Sequence, residues 1–312
     1  MKNFKANGLP LLIGSLPMES HEKATKLVLE YTPDIPLWVQ LPQYKEEGMV
    51  PQFLPGLPGF TSTSGKNLLD TSKPEFDEEF LAFFEEYLSV TESGGDLGAS
   101  RFALSGTRGK GFFEFLRQVD EKEKPFIALK GQVTGPITFG TAVKDETNKD
   151  IFYNDQLKDA AIKKLALNAR WQAWEFSKRG AVPIIFIDEP ALAGFGTSVY
   201  ITITKEDVVQ SIEEIILEIH AENGLAGVHV CANTEWDMLL GSKVDIISFD
   251  AYSFFDKFIL YPEMIKAYLG QGKILAWGIV PTSKAEVVAA QTSQGLVQML
   301  HAQMDELAGK TG

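Results

Sequence analysis

The sequence predicts an α/β fold, a (β/α)8 TIM barrel that forms one domain over residues 1–312. Short apolar strands alternate with amphipathic helices, which is the pattern of a parallel sheet with crossover helices. No break in composition divides the 312 residues, and about 250 residues is the usual length of such a barrel. The alternative, an open doubly wound sheet, is disfavoured because no glycine-rich phosphate turn follows the first strand.

Strands are expected where short apolar segments run into polar or turn-forming residues. We predict them at residues 9–17, 37–41, 126–131, 183–188, 227–231, 244–250 and 274–279. The segment 183–188 is nearly all apolar, as expected of a strand that is covered on both faces. No eighth strand is found. We therefore expect either that one strand is overlooked or that the eighth strand is missing from this chain.

Helical periodicity occupies most of the sequence between these strands. We predict helices at residues 19–31, 75–90, 111–119, 156–179, 205–222 and 284–307, and a short one around Trp236 and Leu239. Gly180 follows the fourth of them in the place of a C-cap glycine. A segment rich in proline and glycine, at about 42–73, is predicted to be a long irregular loop, and its length and position favour a lid.

Composition excludes several classes of function. The formal net charge is −13, whereas binding of nucleic-acid phosphates requires clustered lysine and arginine. A single cysteine excludes an intrachain disulfide framework. No apolar run reaches the ~18 residues of a membrane-spanning helix, and the N-terminus lacks the apolar region of a signal peptide. The sequence therefore predicts a cytoplasmic protein with no nucleic-acid partner and no membrane attachment.

The only cysteine of the chain lies two residues after one of its four histidines. His229 and Cys231 occupy the end of the fifth predicted strand, and residues i and i+2 of a strand point to the same side. An imidazole and a thiol that leave the backbone together suit a borderline cation such as zinc. The alternative is a buried cysteine beside a hydrogen-bonded histidine.

Carboxylates follow two other predicted strands, at the barrel end where such folds carry their chemistry. Asp188 ends the fourth strand and Asp250 ends the sixth. An unpaired charge in a closed barrel mouth costs several kcal/mol, so these carboxylates require a metal or a ligand ammonium group. Helix caps or loop ion pairs are the alternatives for both. The glycine-rich segment 106–111 lacks the spacing of a phosphate loop and is predicted to be a solvated turn.

Four short motifs follow strands in a fixed order and carry a resemblance to a known family. They are Ile13-Gly14-Ser15-Leu16-Pro17, Val133-Thr134-Gly135-Pro136, Ile187-Asp188-Glu189-Pro190-Ala191-Leu192 and His229-Val230-Cys231. Over about residues 9–281 the chain resembles the C-terminal catalytic barrel of cobalamin-independent methionine synthase, within the superfamily shared with uroporphyrinogen decarboxylase. It is similar to the short core members, which lack the N-terminal barrel of the long enzymes.

The resemblance implies a zinc site and an amino-acid site. Zinc would be held by His229 and Cys231, with Asp250 at the position of an acidic ligand that is usually glutamate. The family's second cysteine has no counterpart in this sequence. The resemblance also implies that Gly14 and Ser15 bind the carboxylate of the substrate and that Asp188 binds its amino group.

The implied activity is transfer of a methyl group to the thiol of homocysteine, which gives methionine. The implied donor is a methylated corrinoid, brought by a corrinoid protein, or methyltetrahydrofolate. Two alternatives stay open: a corrinoid-dependent methyltransferase for another thiol such as coenzyme M, and a barrel that binds an amino acid or a metal without catalysis. A tetrapyrrole decarboxylase is disfavoured because no arginine lies near the turn after the first strand.

Overall fold

A computed structural model describes residues 4–63, 65–197, 200 and 202–312. Its main sheet has five parallel strands in the order β3-β4-β5-β6-β7, and a separate antiparallel hairpin pairs β1 with β2. The strands are β1 (Phe60–Thr63), β2 (Lys66–Leu69), β3 (Ala128–Thr134), β4 (Val182–Asp188), β5 (Leu225–Val230), β6 (Ile246–Phe249) and β7 (Ile274–Trp277). This is an α/β fold with a parallel sheet, as predicted, but a closed barrel is not established.

Helices cover the sheet and fill most of the connections between its strands. The α-helices are α1 (His21–Tyr31), α2 (Phe76–Glu92), α3 (Lys110–Asp120), α4 (Pro136–Ala142), α5 (Asp155–Ser177), α6 (Lys205–Ala221), α7 (Trp236–Leu240), α8 (Ala251–Phe258), α9 (Pro262–Gly270), α10 (Ala285–Ala289) and α11 (Ser293–Thr311). Short 3-10 helices lie at Lys45–Glu47, Pro51–Phe53, Leu97–Ala99, Ile151–Tyr153 and Pro190–Gly194. No helix in the described ranges is both long and apolar enough to cross a membrane.

The first two predicted strands are wrong as continuous strands. Residues 9–17 and 37–41 form only isolated parallel bridges, between Ser15 and Gln40 and between Leu37 and Lys130. Two prolines, Pro10 and Pro17, lie within the first segment and cannot donate to a ladder. These bridges nevertheless place both segments, in chain order and parallel, beside β3.

The other predicted elements are confirmed with small shifts and two corrections. The segment 42–73 is not wholly irregular, because it contains two 3-10 helices and the β1–β2 hairpin. The last predicted helix is divided into α10 and α11, and the Thr292 side chain caps the second by accepting from the Gly295 N–H at 3.1 Å.

Two apolar clusters lie on opposite faces of the sheet. The larger packs the sheet against the helices, with Trp38, Phe112 and Trp236 among its fully buried side chains. The smaller contains Ile184 and Phe186 of β4 together with Ala128, Leu225 and Ile246 of its neighbours. Because alternate residues of a strand share a face, Asp188 continues the face that carries Ile184 and Phe186.

Candidate functional site

The predicted residues Asp188 and His229 lie side by side at the carboxyl ends of neighbouring strands. The strand register aligns Thr134 of β3 with Asp188, Asp188 with His229, and His229 with Ser248 of β6. Residues that are paired in register on parallel strands point to the same side of the sheet. The side chains of Thr134, Asp188, His229 and Ser248 therefore form one row, here called the polar row, above the smaller apolar cluster.

Asp188 presents a buried carboxylate oxygen that has no partner among the described residues. Its Oδ1 is out of contact with solvent and has no hydrogen-bond partner within the described part of the chain. Burial raises the pKa of this carboxyl, and the positive charge of Lys130 opposes that rise. A buried acceptor without a donor is costly, so a cation or a hydrogen-bond donor placed beside this oxygen would be stabilised.

Lys130 lies on the same face of the sheet as the polar row and was not among the residues predicted for the site. Its ammonium group is fully buried, donates to the Ile13 carbonyl and lies 4.5 Å from the centre of the Phe186 ring. Burial lowers the pKa of Lys130, and Asp188 counteracts this effect. The sequence does contain a signal for this residue, because a lysine inside the apolar segment 126–131 is expected to be buried together with its charge.

His229 is held as a neutral imidazole. Its Nδ1 lies 3.0 Å from the Ser248 hydroxyl. Burial, followed by the nearby charge of Lys130, lowers the pKa of His229 to about 4. A neutral ring whose Nδ1 is engaged by a hydroxyl has its other nitrogen free to bind a metal. An imidazole with so low a pKa is a weak base near pH 7, so the ligand role fits it better.

Cys231 lies just beyond the end of β5 and is exposed. Partial burial of the sulfur by its neighbours nevertheless raises the pKa of this thiol, and the carboxylates of Asp188 and Asp250 raise it further. The thiol is therefore protonated at neutral pH unless a cation binds beside it. Both carboxylates are near enough to act on the sulfur electrostatically, which places the three predicted residues in one region.

Asp250 has a structural task in this conformation. It is the N-cap of α8, where its Oδ1 accepts from the Ser253 N–H at 3.0 Å. Within the described ranges, no three side chains of the His, Cys, Asp and Glu types come close enough together to form a metal site. The imidazole and thiol fit zinc by their chemistry, whereas the position of Asp250 as a third ligand stays a prediction.

Gly14 and Ser15 lie against the end of the second segment. The Gln40 N–H donates to the Gly14 carbonyl at 3.0 Å, and the Gln132 side chain lies directly beside Gly14, where a Cβ would meet it at 3.2 Å. Gly14 is buried and Ser15 is exposed. Because Lys130 holds the carbonyl of the preceding residue, Ile13, this turn is tied to the lysine that faces Asp188.

Glu189, the neighbour of Asp188, stabilises the chain rather than facing the row. Its fully buried carboxylate accepts from the Ile137 N–H at 2.8 Å, the Thr138 N–H at 2.9 Å and the Thr138 hydroxyl at 2.6 Å. These donors belong to the first turn of α4, where a negative charge is favourable. A Cβ on Gly135 would lie 2.1 Å from this carboxylate, which explains the glycine of the Thr-Gly-Pro motif.

A chain of side-chain amides begins beside the turn at Gly14. Gln40 donates to the Gln52 Oε1 at 2.5 Å, and Gln52 donates to the Arg108 carbonyl at 2.6 Å. The end of β3 is also tied to the long segment 42–73, because the Thr134 hydroxyl donates to the Met49 carbonyl at 2.6 Å. Part of the predicted lid is thus anchored beside the polar row.

Comparison with known proteins gives one sequence relative and one structural neighbour of note. No family model matches the chain. It is 26% identical over 186 residues to a protein described as "Methionine synthase" from Methanocaldococcus jannaschii, a match that covers 59% of this chain and 53% of the relative. The chain thus spans about half the length of the curated relative it matches.

The structural neighbour is a putative vitamin-B12 independent methionine synthase from Listeria monocytogenes, known from a crystal structure. The two chains share 14% sequence identity, and the superposition covers 91% of this chain and 86% of the other with a TM-score of 0.42.

Proposed function

We propose that this protein is a methyltransferase that transfers a methyl group to the thiol of homocysteine and so forms methionine. The observation that carries the proposal is the pairing of Asp188, with its unsatisfied buried oxygen, beside the neutral His229. The similarity to a methionine synthase supports the same reaction class. The substrate needs one group that binds its ammonium and another that holds the metal for its sulfur. Asp188 would serve the first purpose and His229 the second.

Binding of the amino-acid end follows from the charges of the site. The substrate ammonium would satisfy Asp188, while Ser15 and the backbone around Gly14 would take the carboxylate. A thiol that carries a sulfonate, such as coenzyme M, has no ammonium and would leave the buried oxygen of Asp188 unsatisfied. The unpaired carboxylate therefore favours an amino acid over the sulfonate thiol.

Activation of the sulfur is assigned to zinc, held by His229 and Cys231 with Asp250 as the candidate third ligand. When bound, zinc would hold the substrate thiol as a thiolate near neutral pH. The residues of the chain orient the amino acid and keep His229 unprotonated for its ligand role. In the reaction the sulfur–carbon bond forms as the bond between methyl and donor breaks, and the thiol proton is lost. We propose a methylated corrinoid, delivered by a corrinoid protein, or methyltetrahydrofolate as the donor.

A binding experiment separates this proposal from its alternatives. Zinc-loaded protein is titrated calorimetrically with L-homocysteine and with 4-mercaptobutyrate, which is homocysteine without its amino group. We expect homocysteine to bind at least about tenfold more tightly, and Asp188→Asn to abolish the difference between the two ligands, because it removes the charge that selects the ammonium. Equal affinity of the unmodified protein for both ligands would contradict the assignment of Asp188.

Metal content and turnover complete the test. Cys231→Ser is expected to lower the zinc content measured after dialysis, relative to Ser253→Ala, a control at an exposed position of α8 that leaves the thiol, the imidazole and the Asp250 carboxylate in place. Turnover is measured with methylcobalamin and with methyltetrahydrofolate as donors. Tight homocysteine binding without methyl transfer from either donor would favour the non-catalytic binding protein.

A further inference from the structure

A cavity lies apart from the polar row and shares no lining residue with it. It has a volume of about 300 Å³ and is lined by the segment 52–56, the segment 100–108 and two residues of α5. Three of the lining side chains are basic, namely Arg101, Arg108 and Lys164. A basic cavity is unexpected in a chain with a net charge of −13, in which carboxylates are plentiful.

Lys164 is a buried amine that forms no ion pair with any residue that the structure describes. The residue is 3% exposed, and its ammonium group donates to the Arg101 carbonyl. Within the described ranges no carboxylate lies within the 4.0 Å of an ion pair with it. Burial, followed by the charge of Arg101, lowers the pKa of Lys164 to about 7. A lysine with such a pKa is only partly charged at neutral pH, and an anion beside it would favour the charged form.

Arg108 is the second cation left open to the cavity. It is half-buried, and its guanidinium donates to the Pro51 carbonyl. It too makes no ion pair with a described carboxylate, whereas Arg101 is neutralised by Glu86 at 2.6 Å. A guanidinium carries five donors in a planar fork that matches carboxylate and phosphate oxygens, and a single carbonyl uses few of them.

We infer that this cavity binds a small oxyanion, a carboxylate or a phosphate, between Arg108 and Lys164. The remaining walls include the apolar side chains of Phe53 and Leu104, which suits a ligand with a short hydrocarbon part beside its charged group. The glycine-rich segment 106–111, predicted to be a solvated turn, supplies Arg108 and so contributes to this cavity. The inference is independent of the function proposed for the polar row.

Calorimetry at constant ionic strength tests the inference with two probes, inorganic phosphate and glutarate. We expect at least one of them to bind saturably, with a Kd of about 1 mM or below. Binding of one probe alone identifies the group that the site prefers. Arg108→Gln and Lys164→Met are each expected to weaken that binding at least about tenfold.

Lys110→Gln is the matched control, because Lys110 is an exposed cation two residues from Arg108 that does not line the cavity. This variant is expected to bind the probe as the unmodified protein does. Absence of saturable binding by both probes, or equal losses in Lys110→Gln and Arg108→Gln, would overturn the inference. Should Lys164→Met fail to fold, the comparison of Arg108 with Lys110 decides alone.

Discussion

Neighbouring residues of like charge have opposite tasks in this molecule. Glu189 accepts three hydrogen bonds from the first turn of α4, whereas the Oδ1 of Asp188, one residue earlier, accepts none from the described chain. The direction that each side chain takes from the end of β4 makes the difference. One carboxylate thus stabilises the fold, and the other is available to a ligand.

Glu189→Gln is expected to lower the free energy of unfolding by about 1–3 kcal/mol, because an amide NH2 would face an N–H donor that the carboxylate now satisfies. Chemical denaturation measures the change. Glu123→Gln, at an exposed position in a loop, serves as the control and should remain within about 0.5 kcal/mol of the unmodified protein. Equal stability of the two variants would contradict a structural task for Glu189.

The buried Lys164 makes stability depend on pH in a defined direction. Its pKa is about 7 in the folded chain against an ordinary value of 10.5, so between these values the unfolded state binds more protons. Its contribution to stability therefore rises with pH from about 7 to 10.5, by at most about 1.4 kcal/mol per pH unit. Below pH 7 both states are protonated and this contribution is constant.

Urea denaturation of the unmodified protein and of Lys164→Met, from pH 7 to pH 10 in a buffer without phosphate or carboxylates, tests this dependence. The stability of the unmodified protein relative to the variant should increase with pH. Parallel curves over the whole range would show that Lys164 keeps an ordinary pKa when the protein is folded.

At the scale of elements, the sequence predicts those helices and strands whose apolar residues recur with a single clear period. β3 to β7, α1 to α3, α5 and α6 were predicted within a few residues, because their apolar residues recur with a clear period. The first two strands were wrong because their backbone groups find other partners. The Ile13 carbonyl, for example, accepts from the side chain of Lys130, a long-range contact that no local pattern reveals.

The same limit applies to the candidate site. Asp188 and His229 were found because residues at strand ends converge in a parallel sheet, and their register confirms that they are neighbours. Lys130 was not predicted, although its place in an apolar strand could have marked it, because its contact with the Ile13 carbonyl depends on how the turn at Gly14 packs against β3. Which of two adjacent acids faces a ligand is likewise decided by packing.

Close packing between α3 and the second segment leads to a prediction for Gly111. A Cβ at this position would lie 2.0 Å from the Val39 carbonyl oxygen, whereas a Cβ on Gly106 would have no atom within 4 Å. We expect Gly111→Ala to destabilise the protein by about 1–3 kcal/mol or more, because backbone atoms must move apart. Thermal unfolding followed by circular dichroism measures this, and Gly106→Ala should be nearly neutral.

At the scale of the whole molecule, one apolar cluster links the elements from Leu29 of α1 to Leu307 of α11. It includes residues of β3 to β6 and of most helices packed on them, so that few elements can unfold without exposing it. The described chain is therefore expected to behave as one cooperative unit.

That expectation is tested by following unfolding with two probes. Far-ultraviolet circular dichroism reports the helices, and fluorescence reports the five tryptophans together, which include the fully buried Trp38 and Trp236. The midpoints in urea should coincide. Two transitions with separate midpoints would indicate that the regions around these tryptophans unfold independently.

The amide of Gln52 bonds with one atom to Gln40, beside the turn at Gly14, and with the other to the loop that carries Arg108. A shift of that loop around an anion would therefore act on the amide to which the Gln40 side chain is bonded. Thermodynamic reciprocity then requires the influence to run equally in both directions. By whatever factor an occupant of the basic cavity alters affinity at the polar row, an amino acid at the row alters the affinity of the cavity by the same factor.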